Sequence, residues 1–257
     1  MVALGMNKLS FIMAVLLVMG FANTFSSILF SQNAILGYVA RDIFDNKTLT
    51  LPSNVKNFVI LIPNEAHESP LLPKEQRLIN QPYVPQNLVT DANTQIIWFT
   101  GDVGHTRKIT LTDENSKEVF NSRLKFNTAT EPLLLNRSGK FTYFEENANT
   151  EDPKFVMEGS IAITNGDVPP NSNDNVTASE SPYDTMLVLM VPTNDIKKHL
   201  MTLVDNNVNI IDIYSFKDLR ETGGGGANQT LLVLGTNDSL DESISVLKKI
   251  TLTLPYS

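Results

Sequence analysis

From residue 58 to residue 164, apolar residues cluster in short runs separated by turn-forming stretches. The runs are FVILI (Phe58–Ile62), QIIWF (Gln95–Phe99), KITLT (Lys108–Thr112), EPLLL (Glu131–Leu135), KFTYF (Lys140–Phe144) and SIAIT (Ser160–Thr164). Val, Ile, Phe and Tyr are concentrated in the runs, while Asn, Gly, Pro and Asp lie between them, which predicts β-strands. No window here keeps a long helical period, so about six or seven strands at this spacing predict a β-sandwich.

The stretch NGDVPPNSNDNVTASESPYD (165–184) is poor in large apolar residues and rich in Asn, Ser, Asp and Pro. Such a composition buries too little surface to offset ordering, and it predicts a polar linker. Beyond it the pattern alternates. TMLVLMV (Thr185–Val191) reads as a buried strand, and DIKKHLMTLVDNN as a helix with Asp195 near its start and Ile196, Leu200, Leu203 and Val204 on one face. NVNIIDIYSF and TLLVLG read as strands, with Gly223–Gly226 between them. Ser239 or Asp238 caps a second helix around Asp241–Lys249, with Ile244 and Leu247 inward, and ITLTL closes the chain as a strand. The order βαββαβ predicts a small ferredoxin-like α/β domain. The expected organisation is therefore an N-terminal segment (1–44), a β-sandwich (45–164), a linker (165–184) and an α/β domain (185–257), mostly β with an α+β unit.

At the N-terminus, Lys8 precedes fourteen uncharged residues, Leu9 to Ala22. A positive residue followed by a short apolar core is the layout of a secretory signal, and Gly20 and Ala22 supply small residues for cleavage. Extended to Leu29, the same stretch makes about 20 residues, enough to span a bilayer as an anchor. A buried core helix is the third reading. The first two place the remainder outside the cytoplasm, at the cell membrane or secreted. Five Asn-x-Ser/Thr sequons, at Asn46, Asn136, Asn175, Asn228 and Asn237, fit an exported surface.

Composition narrows the chemistry. A net charge of −8, from 20 Lys+Arg and 28 Asp+Glu, argues against nucleic acid as a partner, because phosphate binding requires clustered cations. The absence of cysteine removes disulfides, thiolate nucleophiles and Cys-ligated metals. Three histidines, His67, His105 and His199, leave little for a His-rich centre.

The run Trp98-Phe-Thr-Gly-Asp102-Val-Gly-His105 resembles the cupredoxin pattern W-x-N-x-D-x-x-H, with Thr100 in place of Asn. YVPQNLVTDANTQIIW (Tyr83–Trp98) is similar to the upstream run of that family, with Asn93 standing where Gly is usual, since Asn tolerates positive φ. Phe120-Asn-Ser122, Gly139-Lys-Phe141-Thr-Tyr143-Phe-Glu145 and Met157-Glu-Gly159-Ser-Ile161 follow in the family's order. The resemblance spans 58–164 and implies a Greek-key cupredoxin-like sandwich descended from copper-binding electron carriers. It also implies a ligand set of two His, one Cys and usually an axial Met. Here Glu145 stands at the Cys position, no second His falls between Glu145 and Met157, and blue copper lacks its thiolate.

His105, Glu145 and Met157 remain as possible ligands of a non-blue copper site, with His67 a more remote imidazole donor. The alternative roles are a hydrogen-bonded loop residue for His105 and packing for Met157. Trp98 is expected in the core, His199 exposed or at an interface, and Gly223–Gly226 at a mobile hairpin tip. No nucleophile–base arrangement is legible, so an enzyme is not expected. The expected function is binding or assembly with a protein partner the sequence does not name, with attachment to the membrane through the N-terminal segment.

Overall fold

A computed structural model describes residues 46–64, 82–145, 157–164, 180–217 and 228–254, together with Ala40 and Ile43. The expected signal or anchor at Leu9–Leu29, the N-terminal helix, His67 and Gly223–Gly226 lie outside these residues. Among the described residues, no helix is long and apolar enough to cross a membrane.

The described strands are β1 (Thr48–Thr50), β2 (Asn57–Ile62), β3 (Asn87–Asp91), β4 (Gln95–Thr100), β5 (Arg107–Thr112), β6 (Glu118–Leu124), β7 (Thr128–Ala129), β8 (Leu133–Leu134), β9 (Gly139–Glu145), β10 (Glu158–Thr164), β11 (Thr185–Pro192), β12 (Asn209–Lys217) and β13 (Asn228–Thr236). They are accompanied by the α-helices α1 (Ile196–Asp205) and α2 (Leu240–Thr251) and by a 3-10 turn at Thr193–Asp195 that leads into α1. One sheet runs β1-β3-β10-β9-β5-β6, and the other β12-β13-β11-β2-β4-β7, with β8 also on β4. The mostly β architecture with two sheets agrees with the sequence pattern. The run at 131–135 contributes only the two-residue β8, while β3 and β6 add strands to the first sheet.

The two sheets meet through aromatic side chains. Trp98 of β4 is fully buried, stacks on Phe120 of β6 with centroids 5.7 Å apart, and meets the edge of Tyr143 of β9 at 5.3 Å. Tyr83 packs edge-on to Tyr143 at 4.8 Å. Alternation along β9 and β10, with Phe141, Tyr143, Ile161 and Ile163 inward, gives the first sheet one core face. In β2 and β11 the pattern is continuous instead, because both faces are covered.

That coverage corrects the expected domain boundary. β11 pairs in parallel with β2, Thr185 opposite Asn57, so the C-terminal segment extends the sandwich sheet and does not form a separate domain. Tyr38–Ser257 make up one compact unit. The junction is hydrogen-bonded: Lys56 and Asn57 donate backbone N–H groups to the Asp184 carbonyl at 2.8 and 3.0 Å, and Ser181 N donates to Asn54 Oδ1 at 2.8 Å. The end of the expected linker, 180–184, is thus docked, and 165–179 lie outside the described residues.

The ferredoxin-like expectation is also corrected. β11, α1, β12, β13 and α2 occur in the expected order, but the expected closing strand is absent, since Ile250 and Thr251 finish α2 and Leu252–Leu254 turn away. β2 takes the position beside β11. Ser239 caps α2 as expected, in a reciprocal box with Glu242. On α1 the inward face differs from the expected one: His199 and Leu203 are buried, while Val204 is 66% exposed. Asn93 lies in the β3–β4 turn, but it is not among the residues with positive φ, and Thr94 N closes the turn onto the Asp91 carbonyl.

Candidate functional site

The residues singled out by the resemblance converge at one end of the sandwich, where β4 leaves its sheet and β5, β9 and β10 begin or finish. The loop from Gly101 to Thr106 is held from several sides. Gly101 N donates to the Ile62 carbonyl at 2.8 Å, Asp102 N to Thr100 Oγ1 at 3.1 Å, and Val103 N to Asn64 Oδ1 at 3.0 Å. Gly104 then takes φ +81°, a left-handed conformation that favours glycine.

This loop turns Asp102 inward, where it is fully buried. Its carboxylate meets the guanidinium of Arg107, the first residue of β5, which is itself only 3% exposed. Arg107 Nε donates to Asp102 Oδ2 at 2.7 Å, and a second guanidinium nitrogen donates to the same oxygen. A third, Nη1, points at the sulfur of Met157 at 3.7 Å. The cation therefore ties the β4–β5 loop to the residue that leads into β10.

Glu145, at the end of β9, is buried beside this pair. Its Oε2 accepts the backbone N–H of Lys108 at 2.6 Å, and its own N–H donates to the Met157 carbonyl at 3.1 Å. Tyr83 completes the corner. Burial drives its phenol pKa well above the usual value, Tyr143 and the Glu145 carboxylate push it further up, and Arg107 opposes them. The Tyr83 hydroxyl has no hydrogen-bond partner among the described residues.

His105 stands apart. Its side chain is 43% exposed, and Nδ1 lies 3.6 Å from Asp102 Oδ1. Met157 and Glu145 are buried and share the corner with Arg107, whereas the imidazole lies on its solvent side. Among the described residues, no group of three or more His, Cys, Asp or Glu is placed to hold a metal ion. Arg107 escaped the sequence reading, although a signal existed. It is a cation at the start of an apolar strand, next to Lys108 and five residues after an aspartate whose loop the resemblance had already marked.

No family model matches the sequence, and no curated protein matches it. Among solved structures the chain is similar to reduced rusticyanin, at 13% identity over 47% of this chain and 86% of that one, with a TM-score of 0.30. It is also similar to dithionite-reduced auracyanin from Roseiflexus castenholzii, at 6% identity over 42% and 97% of the two chains and a TM-score of 0.31. Rusticyanin from Thiobacillus ferrooxidans, at 13% identity and TM-score 0.30, covers 46% of this chain and 82% of its own. The resemblance is to cupredoxins, without their thiolate. What this corner can do follows from its own residues.

Those residues do not fit a blue-copper ion. The soft thiolate that such a centre needs is missing, since the sequence has no cysteine, and the Glu145 carboxylate at this corner accepts a backbone N–H. The thioether faces a guanidinium, a permanent cation that opposes a second cation at close range.

Proposed function

We propose that this chain is a cupredoxin-like binding or assembly module, exposed on the extracytoplasmic side of a membrane, whose former metal end serves structure. The observation that carries this reading is the buried Asp102–Arg107 pair with Met157 against the same guanidinium. A site built for reversible metal chemistry keeps its donors open to the ion. Here Met157 faces the Arg107 guanidinium and Glu145 holds the Lys108 N–H, which leaves the outer surface of the sandwich as the means of action. Attachment through Leu9–Leu29 and a protein partner at that surface complete the proposal, supported by the apolar N-terminal stretch and the sequons.

Metal analysis of the full chain, purified and then dialysed against a chelator, tests it. The expected result is far less than one copper per chain before dialysis and an unchanged unfolding midpoint afterwards. One equivalent of copper, lost on dialysis together with stability, contradicts the binding-module reading.

A second reading keeps a copper role at a non-blue site. It is favoured by one observation: the His105 side chain is 43% exposed, with the Asp102 carboxylate 3.6 Å from Nδ1, a carboxylate–imidazole arrangement of the kind that orients metal-binding histidines. In this reading His105 is the main donor, with Glu145 and Met157 requiring rearrangement to join it.

A further inference from the structure

The corner around Arg107 has the electrostatic make-up of a cation site. A fully buried carboxylate, Asp102, is neutralised by a positive group that also faces the thioether of Met157, fifty residues further along the chain. The positive group enters from the chain itself, at the first position of β5, where Arg107 lies opposite Leu124 of β6. Guanidinium is planar, always charged and rich in donors, and here two of its nitrogens converge on one oxygen of Asp102 without needing soft ligands. Its position links the β4–β5 loop to the start of β10, two segments that no backbone pairing joins directly at this point.

We propose that the guanidinium of Arg107 is a built-in cation, fixing this end of the sandwich as a bound metal ion would, and that the space left by its removal is a binding site for small guanidinium ions. The proposal goes beyond the binding-module reading and does not depend on any partner. Removing the arginine leaves the buried Asp102 carboxylate without its guanidinium, the half-exposed His105 imidazole lying 3.6 Å away, and a buried charge that loses its main partner strongly destabilises a fold. An added ion of matching shape and charge restores the pairing. One of matching shape without charge does not.

The experiment is chemical rescue, read by thermal unfolding of the full chain. Trp98 is the sole tryptophan and is fully buried at the sheet interface, so its fluorescence reports this part of the core. Arg107→Ala is expected to lower the midpoint by about 10 °C. Methylguanidinium at millimolar concentration, far below denaturing levels, is expected to return several degrees to this variant. Urea at the same concentration returns nothing. The wild type, whose site is filled, and the pair Asp102→Asn/Arg107→Ala, which lacks the carboxylate, are expected to gain nothing from methylguanidinium. If Arg107→Ala does not fold, Asp102→Asn/Arg107→Met is compared with Arg107→Met alone, and the pair is expected to unfold at the higher temperature because no charge is stranded. The proposal is overturned by a folded Arg107→Ala that methylguanidinium does not stabilise, by equal stabilisation of the wild type or of the Asp102→Asn pair, or by a paired methionine variant no more stable than the single one.

Discussion

Two buried polar residues, Asp102 and His199, show how differently a charge and a neutral ring are accommodated. Asp102 is held by Arg107, so Asp102→Asn strands the guanidinium, and an expected loss of about 3 kcal/mol in unfolding free energy checks this pairing by urea denaturation. His199 is 1% exposed on the inner face of α1, and its Nε2 has no hydrogen-bond partner among the described residues. Burial lowers its pKa, Asp195 opposes that shift, and Lys198 adds to it. A base whose folded pKa is depressed is favoured neutral, so its contribution is intact above the unfolded value of about 6.5 and drains away as pH falls below it. The unfolding midpoint of the wild type is therefore expected to drop from about pH 6.5 downward more steeply than that of His199→Leu. Parallel curves would remove His199 from the account. Neither residue's role was legible in sequence. Lys197 and Lys198 beside His199 suggested a solvated face, while the positions that decide its burial, Ile196, His199, Leu200 and Leu203, share the other side of the helix.

Elements were legible where one periodicity governed and misread where two competed. Strands β2, β4, β5, β9 and β10 follow short apolar runs bounded by turn residues, and each falls within a residue or two of its run. ITLTL alternates like a strand, yet Val246, Leu247, Ile250 and Thr251 also recur at helical spacing and are all buried along α2. The capping box at Ser239 starts that helix in register, and the helical period extends it through Thr251. Ser239→Ala is expected to cost about 1 kcal/mol and to lower the midpoint by a few degrees, because the Glu242 N–H loses its Ser239 Oγ acceptor and only the backbone half of the box, residue 239 N–H to Glu242 Oε2, remains. At Gly159 of β10, an added Cβ would overlap the Tyr143 ring and the Gln86 carbonyl oxygen. Gly159→Ala is accordingly expected to destabilise by about 2 kcal/mol or more and to shift Trp98 emission, since Tyr143 lies against the indole. A shift below 1 °C, with emission unchanged, would contradict that close packing.

At the scale of the molecule, the continuity of FVILI and TMLVLMV was the overlooked sign of a single unit. A strand with one solvated face alternates, whereas a run apolar at every position needs cover on both faces, and the two such runs here lie as parallel neighbours at the covered middle of one sheet. A chain ended at Thr164 is thus expected to lose cooperative unfolding, because β2 would lose β11 over Asn57–Val59; a sharp transition in that fragment would restore the two-domain picture. The acidic balance, the missing cysteine and the order of the cupredoxin-like motifs were all readable beforehand. The corner around Asp102 was not, because its make-up turns on Arg107, a residue that no ligand pattern includes. The most direct test of the account is electron paramagnetic resonance of the full chain after exposure to Cu(II) and desalting. The account predicts no copper bound through Met157 or Glu145, and any residual signal should be tetragonal with nitrogen and oxygen ligands and vanish in His105→Ala. Tightly retained copper, unaffected by His105→Ala and lost in Met157→Leu, would contradict it.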